Sequence, residues 1–164
     1  MSLIPRRIVK RNASDLGEVA DLLTNTAGPV VLVFDVDNTL VGQGAPPDEF
    51  TAIVNGVIDR FEEHPSVSRV IALTNGAQRG VPRLVSRGNK PWTTRRRLGV
   101  RGDVVVVGDQ ILTDGVLAWR WGGTFIHLVI DDSTESPDQS RLRSTGKWIA
   151  PLLFKEGPVE ERSL

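Results

Sequence analysis

The stretch VVLVFDVDNTLVGQG, residues 30–44, opens as an unbroken apolar run and then sets two aspartates, Asp35 and Asp37, on either side of one valine. From Val30 to Phe34 the β-branched and aromatic residues leave no polar face, the pattern of a strand covered on both sides. Side chains at i and i+2 of a strand share a face, so both carboxylates point toward one spot from adjacent rungs. Two anions held there are costly unless a cation lies between them or one of them keeps a proton.

Outward from this strand the chain alternates in character. On its N-terminal side Ser14 is placed to cap a helix over Asp15 to Thr24, where Leu16, Val19, Ala20 and Leu23 recur at helical spacing; Ala27-Gly28-Pro29 ends it. On its C-terminal side Pro46 and Pro47 open a second helix that carries Phe50, Ile53, Val54, Val57, Ile58 and Phe61 on one face. Val67 to Leu73 and Val104 to Val107 read as further buried strands, ending at Thr74-Asn75-Gly76 and Gly108-Asp109. Thr113 caps a short helix from Asp114 to Trp121 that Gly122-Gly123 terminates, and Thr124 to Ile130 is a fourth strand. Strands alternating with helices predict an α/β fold, a mostly parallel central sheet with helices on both faces. Ligands of such sheets bind beyond the carboxyl ends of the strands, where the strand order reverses. Asp35, Asp37, Thr74 and Asp109 are therefore expected to converge.

The 164 residues suit one domain over 1–164, with a core at about 14–130, a polar loop from Asp131 to Arg143 and a frayed tail from Gly157 to Leu164. Between the loop and the tail, Trp148 to Phe154 carries enough apolar surface to dock on the core or to meet lipid. Twenty basic residues balance twenty acidic ones, so no overall field attracts nucleic acid, and aromatic interleaving of the basic runs is sparse. The absence of cysteine excludes disulfides, thiolate catalysis and zinc–thiolate sites. No apolar run reaches the ~20 residues of a spanning helix, and Met1 to Arg11 lacks the apolar core of a signal peptide. A cytoplasmic protein is expected, with peripheral contact at the inner membrane surface open to it. Two clusters could make that contact: Arg6, Arg7, Lys10 and Arg11 beside Leu3 and Ile4, and Arg95, Arg96 and Arg97 after Trp92. Each basic residue gains roughly 1 kcal/mol at an anionic bilayer. Oligomeric state is not legible in the sequence.

The chemistry follows from the carboxylates. An aspartate can attack phosphorus if a divalent ion screens its repulsion with the phosphate, and magnesium suits a site whose donors are carboxylates and carbonyls. The second aspartate can then protonate the leaving oxygen and activate water. Asp109 can complete the metal site, and Asp114 can hold a metal-bound water or an ammonium. Thr74 offers a hydroxyl to phosphate, and Lys90, kept from a regular helix by Pro91, offers a positive charge. Plainer roles are open to each: Asp114 as a helix cap, Thr74-Asn75-Gly76 as a turn, Lys90 as a solvated surface lysine, and His64 and His127 as packing residues.

Taken together, DVDNT (Asp35 to Thr39), the strand ending in Thr74-Asn75, Lys90-Pro91 and GDQILTD (Gly108 to Asp114) resemble the four motifs of the haloacid dehalogenase (HAD) superfamily phosphatases. DVDNTLV, an isolated KP, and GDQILTD followed by LAWRWGGTFIHLV are similar to the subclass IIIA group of YqeG-like and phosphatidylglycerophosphate phosphatases. The resemblance runs from about Leu3 to Ile130. It implies a Rossmannoid three-layer sandwich and magnesium-dependent hydrolysis of a phosphomonoester through an aspartyl-phosphate, with phosphatidylglycerophosphate, through its lipid headgroup, as substrate. It implies Asp35 as nucleophile and magnesium ligand, and Asp37 as general acid/base that lends the metal its backbone carbonyl. Thr74, Asn75 and Lys90 then bind phosphate, and Asp109 ligates magnesium with Asp114 behind it. The loop between Leu40 and Phe50 is too short for a cap domain, which implies a capless, open site. Only Gly76 to Asn89 precedes Lys90, where relatives fit a full helix and another strand. A soluble phosphatase of small metabolites or nucleic-acid ends, and a non-catalytic binding module, are the alternatives.

Overall fold

Val30–Asp35 forms strand β2 with all six side chains buried, because apolar layers cover it from both sides. The computed structural model describes residues 8–37, 39–40, 46–76, 80–86, 88–129 and 137–156, with the backbone alone for 137–144 and 156. In chain order β1 (Ile8–Ala13) and α1 (Leu16–Thr24) precede β2. After it come α2 (Pro47–Glu62), β3 (Val67–Leu73), β4 (Leu84–Val85) and β5 (Asp103–Gly108). A π-helical turn (Ile111–Gly115), α3 (Val116–Trp121), β6 (Thr124–Leu128), α4 (Pro137–Leu153) and β7 (Phe154–Glu156) follow.

The seven strands form one sheet in the order β4-β3-β2-β5-β6-β1-β7, and every pairing is parallel. From β2 the chain steps through β3 to β4, then returns to β5 on the other side of β2 and steps away through β6. The order therefore reverses between β2 and β5, which opens a crevice at their carboxyl ends. Pairing of Phe34 with both Ala72 and Val107 brings the ends of β2, β3 and β5 level. No helix among the described residues is long and apolar enough to cross a membrane.

Alternation along β2 divides the core. Leu32 and Phe34 face α1 and α2, where Val19, Leu23, Phe50, Val54 and Phe61 are buried, and the Phe34 and Phe61 rings lie 5.0 Å apart. Val31 and Val33 face the opposite layer, with Leu117 and Ala118 of α3 and Phe154 of β7. Fully burying one such side chain is worth about 1.5–3 kcal/mol.

Several expectations are corrected. Asp15, not Ser14, caps α1: its carboxylate accepts the Glu18 N–H at 2.9 Å, and Glu18 Oε2 accepts the Ser14 N–H at 2.7 Å. The helix starts one residue later than its apolar spacing suggested, which moves the capping position inward. Thr113 caps nothing, because the chain already turns from Ile111, with the amides of Asp114 and Gly115 both bonded to the Gln110 carbonyl. Buried residues also lie outside 14–130, since β1 and β7 both add to the sheet at the β6 edge and bury Ile8 and Phe154. Much of the supposed polar loop belongs to α4, which needs only a narrow stripe to dock: Gly146 against Ile111, then Ala150 and Leu153 one and two turns on. The Trp148 to Phe154 stretch docks in part, with Phe154 buried while Trp148 and Leu152 stay 86% and 58% exposed. Arg95 of the basic run is tied to the fold, donating to the Trp121 carbonyl at 3.2 Å and to that of Gly102. Leu3, Ile4, Arg6, Arg7, Ile130 and the tail from Gly157 lie outside the described residues.

Candidate active site

Strand ends bring the acids together. Asp35 is the last residue of β2, Asp109 follows β5, and Asp114 sits in the π-helical turn just beyond. All three are buried, Asp114 completely, and each contributes a carboxylate oxygen to a cluster whose atoms lie within 4.8 Å of one another. The wide turn after Gln110 swings Asp114 back over the strand end. There its Oδ2 accepts the Gln110 N–H at 3.3 Å, while neither the π-helical turn nor α3 has a side-chain cap. Gly108 permits this: a Cβ at that position would fall within the Asp114 carboxyl group.

Lys90 reaches the cluster from the segment after β4. It is buried rather than solvated, pairing with Asp35 Oδ1 and, at 2.8 Å, with Asp114 Oδ1. Asn75 fixes its backbone reciprocally, accepting the Lys90 N–H at 2.7 Å and donating to its carbonyl at 3.2 Å. β4 and Gly88 beyond it brace Thr74 within this short segment, since Val85 accepts the Thr74 N–H at 3.0 Å and Gly88 donates to the Thr74 carbonyl at 2.8 Å. The short segment therefore still delivers the lysine.

Electrostatics follow from burial. Asp35 titrates well above its ordinary 3.8, first because burial disfavours its charge and then because Asp114 repels it, with Lys90 only partly offsetting both. Burial alone would lower Lys90, but Asp114 and Asp35 outweigh it and hold the ammonium above its ordinary 10.5. Three carboxylates against one ammonium leave a formal excess of two negative charges.

Asp37 and buried Thr74 form a second group. The Thr74 hydroxyl donates to Asp37 Oδ2 and accepts the Gly76 N–H at 2.9 Å. The cluster within 4.8 Å thus contains the carboxylate of Asp114 rather than that of Asp37.

Thr39, quoted in the DVDNT motif without a role, bridges the site. Its hydroxyl lies 3.3 Å from Asp35 Oδ2 and 3.3 Å from Asp109 Oδ1, and it accepts the Asp109 N–H at 3.2 Å. One hydroxyl proton serves two carboxylate oxygens. His127 was also set aside, yet its Nε2 lies 3.0 Å from the Asp109 carbonyl while its ring stacks on Phe125 at 5.8 Å. Parallel pairing of Gly108 with His127 would have been needed to foresee it.

The donor set fits a hard dication. The acids offer oxygen alone, and their formal excess charge is two. No family model, no curated protein and no solved structure matches this chain.

Proposed function

We propose that the chain is a phosphomonoester hydrolase of the haloacid dehalogenase type, working through an aspartyl-phosphate on Asp35. The observation that carries this reading is the buried carboxylate cluster with its excess of two negative charges, built at the strand-order reversal of a parallel sheet. Asp35 and Asp109 would hold magnesium, together with the Asp37 backbone carbonyl that the family resemblance implies. Magnesium bound there screens the approach of phosphate to Asp35 and draws charge from the phosphoryl oxygens.

The chain's own residues do the rest. Asp35 Oδ1 is occupied by the Val36 N–H at 2.8 Å and by Lys90, which fixes the carboxylate plane. An Asp35 oxygen attacks phosphorus, the bond from phosphorus to the leaving oxygen breaks, and Asp37 gives that oxygen a proton. Asp37 then takes a proton from water, which attacks the same phosphorus and releases Asp35 and inorganic phosphate. Thr74 orients Asp37. Lys90, positioned by Asn75 and Asp114, keeps a positive charge beside the phosphoryl group in both steps.

The resemblance favours a phosphorylated lipid headgroup such as phosphatidylglycerophosphate. Exposed Trp148 and Leu152, one turn apart on α4 beside Lys147, would suit a membrane surface. The test is magnesium-dependent phosphate release from p-nitrophenyl phosphate, followed by a panel of phosphorylated lipids and soluble esters. Turnover that Asp35→Asn abolishes is expected. Magnesium binding without turnover on any ester would instead make the chain a binding module.

A further inference from the structure

The two layers that cover the sheet differ in charge, although the whole chain balances twenty basic residues with twenty acidic ones. On the side of Leu32 and Phe34, α1 carries Glu18 and Asp21 and no cation, and α2 carries Asp48, Glu49, Asp59 and Glu62 against Arg60. Each of these acids is exposed. Arg83 is already paired with Asp59 and Glu62, and exposed Asp103, in register with Val30, adds a further acid to that side.

The opposite layer inverts this. The connection over 88–102 packs on the side of Val31 and Val33 through Leu98 and Val100, and it carries Arg95, Arg96, Arg97 and Arg101. To these α3 adds Arg120 and α4 adds Lys147; all but Arg95 are exposed. Among the described side chains of this layer Asp114 is the only acid, and it is buried against Lys90.

Apolar exposure follows the cations. Among the described residues the exposed large hydrophobic side chains are Trp92, Val129, Trp148 and Leu152, and none belongs to α1 or α2. Gly146, Ala150 and Leu153 dock α4, so Trp148 and Leu152, roughly half a turn around the helix, face away from the sheet. Trp92 lies in the basic connection, with the Arg120 guanidinium 5.3 Å from its ring centroid. Cations among exposed indole and aliphatic groups complement a surface that is anionic outside and hydrocarbon within, and indoles favour that boundary. A nucleic-acid backbone would engage the cations but leave Leu152 and Val129 without a partner.

We propose that the α3–α4 side of the sheet is a docking face for the surface of an anionic bilayer. The sheet then lies along the bilayer, and the crevice at its carboxyl ends opens sideways along the surface. The face stands on charge and exposure and does not rest on the phosphatase reading.

The chain has no cysteine, so Leu152→Cys on α4 and Asp21→Cys on α1 each give the full chain a single site for a bimane label. Vesicles of phosphatidylcholine, with and without phosphatidylserine, are added in chelator, which reads docking without turnover. Binding is expected only with phosphatidylserine and should weaken as salt rises. Brominated acyl chains should quench the label of Leu152→Cys and not that of Asp21→Cys. Arg97→Glu and Lys147→Glu should each weaken binding at least about fivefold, while Arg60→Glu, the same charge change on α2, should not. Circular dichroism checks that the variants are folded, and the two labels decide if a charge variant is not. Quenching of both labels alike, equal loss in Arg60→Glu and Arg97→Glu, or no vesicle binding by the wild type overturns the proposal. Binding to a DNA duplex with indifference to vesicles overturns it too and assigns the face to nucleic acid.

Discussion

Replacing Asp35 by asparagine should stabilise the protein in chelator and destabilise it, relative to wild type, in magnesium. Asparagine keeps an oxygen for the Val36 N–H, 2.8 Å from the present carboxylate, and for Lys90. What it removes is a buried charge. Each carboxylate pair within 4.8 Å repels by about 3.5 kcal/mol at an effective dielectric of ~20, and Asp35 belongs to two such pairs. The contact with Lys90 returns a similar total, about 6 kcal/mol, so pair terms nearly cancel and dehydration of the buried anion decides the sign. A net gain on the order of 1–4 kcal/mol is expected for the neutral residue. At about 2–4 °C per kcal/mol for a chain of this size, thermal melting in chelator resolves it. Magnesium at a thousand times its Kd adds about 4.1 kcal/mol to the wild type and little to the variant, enough to offset that gain, so the two melting curves exchange order. The pH dependence carries the same sign. A carboxyl whose folded pKa is raised contributes stability that is complete below its unfolded value of 3.8 and is lost as pH rises through the folded one. In chelator the wild type should lose that contribution above pH 3.8 while the variant does not. A variant less stable in chelator, or one that gains as much from magnesium as the wild type, refutes the reasoning.

Other perturbations separate the roles within the site. Lys90→Gln leaves Asp35 and Asp114 without their shared cation and should cost about 3–5 kcal/mol in chelator by urea denaturation, with magnesium restoring part of the loss. Gly108→Ala pushes a methyl group into the Asp114 carboxyl; an overpacking cost of about 1–3 kcal/mol is expected, with turnover falling because Lys90 loses an anchor. Asp37→Asn should lower turnover about 10²–10⁴-fold while the thermal shift with magnesium persists, as expected for an acid/base residue whose carboxylate lies outside the cluster. Trp148→Ser, at a side chain 86% exposed, should change stability by no more than about 0.5 kcal/mol; reduced co-sedimentation with anionic liposomes would identify it as a membrane contact.

The elements that decide the fold were legible because their patterns are local. β2, α2 and β3 follow directly from a continuous apolar run, a 3.6-residue rhythm behind two prolines and a second apolar run. β1 and β7 were not legible. Their sequences, IVKRNA and FKE, carry no continuous apolar run, and only pairing with distant strands makes them strands. α4 hid for a related reason, since a glycine, an alanine and a leucine suffice to dock it and the first half of its sequence is mostly polar. At the site, the convergence of Asp35 and Asp109 followed from strand ends in a parallel sheet. The reach of Lys90 and the bridge of Thr39 depend on backbone turns that no periodicity announces. Asn75 illustrates the limit: its position was legible, while its partnership with the lysine backbone appears only in three dimensions.

Whether Asp35 accepts a phosphoryl group is tested most directly with beryllofluoride, which mimics phosphate on a carboxylate, followed by fluorine NMR with and without magnesium. The account predicts one adduct per chain, formed only with magnesium and absent in Asp35→Asn. A wild-type protein that binds magnesium and forms no adduct, or an adduct that survives Asp35→Asn, would contradict it.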